Sequence, residues 1–178
     1  MVSQRRFART DRVIPMTDTE LKLEDAATQL DIAAASSDRN AVVRSCLNGM
    51  IEMGRSVTFI MQKESGGSAE LTRWYKARMT ALMESLDGPL LDFFNSRRVF
   101  SVHRGVPKPQ KLTATITGSS VPSVEAGMTV ILWTFEGVHE YLPKDDSGGA
   151  FRLGMRYIAI LRALVAEWLT KRKELGIT

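Results

Sequence analysis

An apolar stripe in the first half of the chain limits the possible folds more than any other feature. Between residues 40 and 63, apolar or small side chains recur at steps of three and four residues, which places them on one face of an α-helix. Such a long one-sided helix needs neighbours to cover its apolar face, so we expect a helical bundle. The stripe consists of Val43, Cys46, Leu47, Met50, Gly54, Val57, Ile60 and Met61.

Four further segments show helical spacing and are separated by clear breaks. Thr17-Asp18-Thr19-Glu20 has the pattern of a capping box, and Gly88-Pro89 suits the start of a helix. The aromatic pair Trp74-Tyr75 fits the buried face of its helix better than it fits a stacking platform for bases. The predicted helices cover residues 17–35, 40–63, 69–85, 89–104 and 150–175.

The pattern changes between the fourth and fifth helices. Residues 111–117 and 128–136 alternate polar and apolar side chains and are joined by a loop rich in Gly, Ser and Pro, as in a β-hairpin. A lone hairpin is marginally stable in water, so it should pack on the helices or on a second subunit. We therefore predict a mainly α fold, an up-and-down bundle of about five helices with a β-hairpin (111–136) inserted before the last helix. One domain would span residues 17–175.

The distribution of charged and apolar residues indicates a flexible tail and the expected location of the protein. Residues 1–16 form a basic segment that we expect to be a flexible tail, with binding of a polyanion as the alternative. The longest nearly uncharged apolar stretch of the last helix, Tyr157–Val165, is interrupted by Arg162 and is too short to span a bilayer. No secretory signal is evident, so we expect a cytoplasmic protein without a membrane partner. Cys46 is the only cysteine, and its place in the apolar stripe indicates a buried hydrophobic residue.

Known cofactor and metal motifs are missing from the sequence. We find no phosphate-binding loop, no dinucleotide fingerprint and no paired-histidine metal motif, so no cofactor and no metal are expected. The two histidines are His103 and His139. We interpret His139, between the second strand and the last helix, as structural.

The segment from Asn95 to Gly105 concentrates polar and basic residues near the end of the fourth helix. Arg98 and His103 are five positions apart, which separates them by about 140° around a helix. A joint site would therefore require that the helix end unwinds, or that the motif meets its copy across a two-fold axis. The plain alternative is a solvated basic face with a histidine that the helix dipole favours.

An Arg followed after four residues by His, near the end of a bundle helix, resembles the HEPN (higher eukaryotes and prokaryotes nucleotide-binding) superfamily. These all-helical domains carry an Arg-x4–6-His motif. The segments GRSVTFIMQKE, RWYKARM and GPLLDFFNSRRVFSVHRG are similar, in the same order, to bacterial HEPN-like proteins, and the resemblance covers about residues 17–106. It implies a homodimer that engages RNA or a nucleotide, with an antitoxin or other protein as a further partner.

The resemblance also implies a reaction, that of a metal-independent endoribonuclease of a toxin–antitoxin or phage-defence type. His103 would be the general acid/base for attack by a ribose 2′-hydroxyl on the adjacent phosphate. Arg98, or Arg97 in a second register, would bind that phosphate. The nucleic-acid-binding residues would be Arg97, Arg104, Lys108 and Asn95.

Two other functions stay open on the sequence alone. Val99 follows Arg98 where active members of the superfamily typically carry Asn, Asp or His, so a catalytically inactive helical protein-interaction module is one alternative. The other is a small-ligand pocket between the bundle and the hairpin, lined by Trp133, Phe135 and Tyr141.

Overall fold

The computed structural model describes residues 16–103, 109–115, 129–142 and 149–177. Five helices and one antiparallel hairpin make up these residues, which confirms the predicted fold. In chain order the elements are α1 (Asp18–Ala35), α2 (Asn40–Glu64), α3 (Ala69–Met83), α4 (Gly88–His103), β1 (Pro109–Thr115), β2 (Thr129–Phe135), a 3-10 turn (Val138–Glu140) and α5 (Ala150–Glu174).

Local side-chain chemistry sets the first helix boundaries. Thr17 forms the predicted capping box, because its Oγ1 accepts from the Glu20 backbone N–H at 3.2 Å and Glu20 Oε2 accepts from the Thr17 backbone N–H at 2.8 Å. The predicted end of the third helix at Ser85 was two residues too late. Ser85 Oγ instead accepts from the Asp87 backbone N–H and donates to the Leu82 carbonyl, a local turn that competes with the helix.

The hairpin starts earlier than its sequence pattern indicates. β1 begins at Pro109 rather than 111, and Pro109 lies opposite Phe135 while Thr115 lies opposite Thr129. Proline is tolerated there because a strand of a two-stranded sheet has a free edge. Residues 116, 117 and 128 of the predicted strands lie outside the described part of the chain.

The last helix is the centre of the core. Because α5 contacts each of the other four helices and β2, its buried side chains lie around much of its circumference and not along a single stripe. Met155 of the same helix is 59% exposed. The buried residues of α5 are Ala150, Leu153, Gly154, Tyr157, Ile158, Ile160, Leu161, Leu164, Val165 and Trp168.

Aromatic rings connect the hairpin to the bundle. Phe135 of β2 packs against Phe93 and Phe94 of α4 with ring centroids 5.8 and 5.6 Å apart. Phe94 in turn lies 4.4 Å from the ring of Tyr157 on α5, and Tyr141 meets Phe93 edge to face at 5.6 Å. The hairpin therefore packs on the helices of its own chain, one of the two arrangements that its marginal stability predicts.

Candidate anion-binding site

The predicted motif lies at the end of α4. Residues 97–103 belong to α4 through their backbone, and their side chains, including those of Arg97, Arg98 and His103, lie outside the described part of the structure. Arg104 and Lys108 also lie outside it. Asn95 is half-buried, and α4 remains helical up to His103.

A cavity of about 440 Å³ opens between the start of α2 and the hairpin. Two cations line it, Arg44 on α2 and Lys111 on β1, and both side chains are exposed. Lys111 is the cross-strand partner of Trp133, so the two side chains project from the same face of the hairpin. The full set of lining residues is Asn40, Arg44, Pro109, Gln110, Lys111 and Trp133.

The electrostatics of this cavity favour an anion. Neither Arg44 nor Lys111 forms an ion pair or side-chain hydrogen bond with any residue that the structure describes. The N-cap of α2 is Arg39, which supplies no side-chain cap, and the first turn of α2 has no acidic residue. The backbone N–H groups at this helix start, together with the helix dipole, add positive potential to that of the two side chains.

Two buried polar atoms, one on α2 and one on β2, lack partners among the described residues. The Trp133 side chain is 3% exposed, and its only polar atom, the indole Nε1–H, donates no hydrogen bond. Asn48 follows Arg44 by one turn of α2, and its Oδ1 accepts none. An unpaired buried polar group costs about 1–3 kcal/mol, so an acceptor that reached Trp133 Nε1 would recover part of that cost.

One of the three residues that the sequence predicts to line a pocket lies in the observed cavity. Trp133 lines a cavity between the bundle and the hairpin, but Phe135 and Tyr141 pack on Phe93 in the aromatic core instead. Sequence reasoning missed Arg44 and Lys111. Both are isolated exposed cations in the sequence, and only the packing of β1 on α2 brings them to one cavity.

Three further results concern similarity to known proteins, metal binding and membrane spans. Comparison with protein-family models, with curated proteins and with solved structures gave no match. In the described ranges, no group of three or more His, Cys, Asp or Glu side chains is placed to hold a metal ion. None of the helices in those ranges is long and apolar enough to cross a bilayer.

Proposed function

We propose that the protein is a HEPN-like homodimer that engages RNA through the C-terminal end of α4 and cleaves it without a metal ion. The observation that carries the proposal is the position of the motif. Arg98 and His103 occupy the last two turns of α4, and the chain then leads into β1, whose first residues line a cavity with two cations that pair with no described residue. The chain thus runs from the histidine to a surface whose cations suit a polyanion.

The backbone of α4 favours a site shared by two protomers. The helix is continuous up to His103, so Arg98 and His103 stay about 140° apart around its axis and about 7.5 Å apart along it. Two copies of α4 that meet around a two-fold axis would bring Arg98 of one protomer towards His103 of the other. Such an arrangement explains why Arg98 and His103 are five residues apart, a spacing that keeps the two side chains of one helix from facing each other.

His103 would act on the ribose of the scissile nucleotide. It takes the proton of the 2′-hydroxyl while that oxygen attacks the adjacent phosphorus, and the bond to the 5′-oxygen breaks. The leaving 5′-oxygen receives a proton from water, which gives a 2′,3′-cyclic phosphate and a 5′-hydroxyl end. Arg98, or Arg97, offsets the charge that develops on the phosphate oxygens, and Asn95 orients the phosphate or the histidine.

The cavity lies within reach of the same RNA strand. Residues 104–108 separate His103 from Pro109, so the Cα atoms of these two residues are at most about 20 Å apart. Arg104 and Lys108 belong to this connection and would add contacts to the RNA backbone. An RNA bound at the motif can thus extend to Arg44 and Lys111.

The test is cleavage of single-stranded and structured RNA in the presence of EDTA by the wild type and by His103→Ala. Loss of a general acid/base typically lowers the rate 10²–10⁴-fold, so we expect at least about a hundredfold loss. His139→Ala is the matched control because it removes the other histidine, from the 3-10 turn after β2. Circular dichroism checks that all proteins are folded.

Two outcomes would overturn the proposal. One is a wild type that neither binds nor cleaves RNA. The other is cleavage by His103→Ala at the rate of His139→Ala. RNA binding without cleavage by the wild type would leave RNA engagement in place and contradict the nuclease assignment.

A further inference from the structure

The cavity between α2 and the hairpin has the features of a phosphate site in its own right. We propose that it binds the phosphate of a phosphomonoester, as carried by a nucleoside monophosphate or by the 5′ end of an RNA. The proposal concerns Arg44, Lys111 and Trp133, and it holds whether or not the α4 motif cleaves RNA. Its ligand is defined by a compact, doubly charged terminal phosphate rather than by the phosphodiesters of an RNA backbone.

The first argument is that Arg44 and Lys111, unlike Arg78 and Arg156, have no carboxylate partner among the described residues. Arg78 binds Glu167 through two contacts of 2.6 and 2.8 Å, and Arg156 lies 2.8 Å from Asp87. Within the described residues, no carboxylate lies within ion-pair distance of Arg44 or Lys111. Two adjacent cations without a counter-charge favour a dianion, and the guanidinium fork of Arg44 suits two phosphate oxygens.

The second argument is the start of α2. The starts of α1 and α3 are capped by the hydroxyls of Thr17 and Ser68 and carry acidic residues in their first turns. α2 has 25 residues and, like α5, has neither feature, and its first residue, Asn40, lines the cavity. Its free backbone N–H groups are suitable donors to phosphate oxygens.

The third argument is independent of charge and comes from Trp133. Its ring is nearly fully buried in the wall of the cavity, and its indole N–H has no acceptor among the described residues. Buried indole N–H groups normally have a partner. Because this Nε1 has almost no accessible surface, an acceptor in the cavity would contact it once the ring turns towards the opening. A phosphate oxygen, which carries charge and several lone pairs, is an acceptor that the two neighbouring cations would also hold.

The size of the cavity indicates what is attached to the phosphate. Small-molecule sites have volumes of roughly 300–1,000 Å³, and this cavity has about 440 Å³. That is more space than a phosphate ion needs, so a nucleoside or similar group can occupy the remainder. The amides of Asn40 and Gln110, which can both donate and accept, would contact that group.

The experiment is isothermal titration calorimetry of the full chain with inorganic phosphate, with a nucleoside 5′-monophosphate and with acetate. We expect saturable binding of both phosphate ligands, tighter for the monophosphate, and much weaker binding of acetate. Arg44→Ala and Lys111→Ala should each weaken monophosphate binding at least about tenfold. Lys63→Ala is the matched control, because Lys63 is an exposed cation at the opposite end of the same helix.

Trp133→Phe tests the indole donor separately from charge. It keeps an aromatic ring in the wall but removes the N–H together with the fused five-membered ring, so we expect monophosphate binding to weaken several-fold and thermal stability to fall. Binding is therefore measured well below the melting transition of the variant. Short RNAs with a 5′-phosphate or a 5′-hydroxyl then distinguish the two sources of the ligand. Tight binding of the 5′-phosphorylated RNA alone assigns the site to RNA ends, and equal binding of free monophosphate assigns it to nucleotides.

The proposal fails if neither phosphate ligand binds, if acetate binds as tightly as phosphate, or if Arg44→Ala and Lys111→Ala bind as well as Lys63→Ala. His103→Ala separates this proposal from the nuclease proposal. We expect it to bind the monophosphate like the wild type, so a protein that binds phosphate through Arg44 but cleaves no RNA contradicts only the nuclease assignment.

Discussion

The missing side chain at position 54 allows α2 and α5 to approach each other. A Cβ at Gly54 would lie 2.6 Å from Cε1 of Tyr157, whose ring also packs on Phe94. We expect Gly54→Ala to lower the free energy of unfolding by about 1–3 kcal/mol, because overpacking outweighs the gain in helix propensity. Gly49→Ala is the control on the same helix, since its nearest neighbour is the flexible end of Gln29. Urea unfolding of both variants measures the difference, and equal stabilities would contradict the argument.

Burial of the same tyrosine makes stability depend on high pH. Desolvation raises the pKa of Tyr157 above its ordinary value near 10, and the charge of Arg55 opposes that shift only in part. The unfolded chain therefore loses the phenol proton first. The stability that neutral Tyr157 supplies is complete below about pH 10 and falls as the pH rises further. Tyr157→Phe should show a shallower loss of unfolding free energy between pH 9 and 11 than the wild type, and parallel curves would contradict this.

At the scale of elements, the helix starts differ in what supports them. The capping box of α1 satisfies backbone donors through Thr17, whereas Arg39 at the start of α2 supplies no side-chain cap. We expect Thr17→Ala to lower the unfolding free energy by about 1 kcal/mol and Arg39→Ala to change it by only a few tenths. Thermal unfolding of the two variants measures both effects. An equal loss in both would show that the hydroxyl cap contributes nothing.

Periodicity and capping residues predicted the elements because they are local properties of the chain. The spacing of Val43 to Met61 indicated α2, and the alternation after Lys111 indicated β1. The cavity was not predictable in this way. Arg44 and Lys111 are separated by two helices and their connections, and they share a wall only because β1 packs on α2. The sequence predicted a pocket at the hairpin that includes Trp133 and Phe135. Phe135 is instead buried by aromatic contacts with α4, and the spacing of residues in the sequence does not predict such contacts.

On the scale of the whole molecule, the two ends of α2 differ in whether their polar groups have partners among the described residues. At its C-terminal end, Glu64 accepts from the buried hydroxyl of Thr19 at 2.9 Å and lies 3.5 Å from Arg172. Arg172 also covers the ring of Trp168, whose indole N–H donates to Ser65 Oγ at 3.0 Å. The polar groups of this network are paired, whereas the cations at the other end of α2 have no described partner.

This contrast predicts that stability and binding can be changed separately. Glu64→Gln should lower the unfolding free energy by about 1 kcal/mol, because it weakens the contacts to Thr19 and Arg172, and should leave monophosphate binding unchanged. Arg44→Ala should do the reverse, since Arg44 is exposed and unpaired among the described residues. Urea unfolding and calorimetry on the same two variants measure both quantities. If Arg44→Ala destabilised the fold as much as Glu64→Gln and left binding intact, Arg44 would be a structural residue and the open end of α2 would not be a binding site.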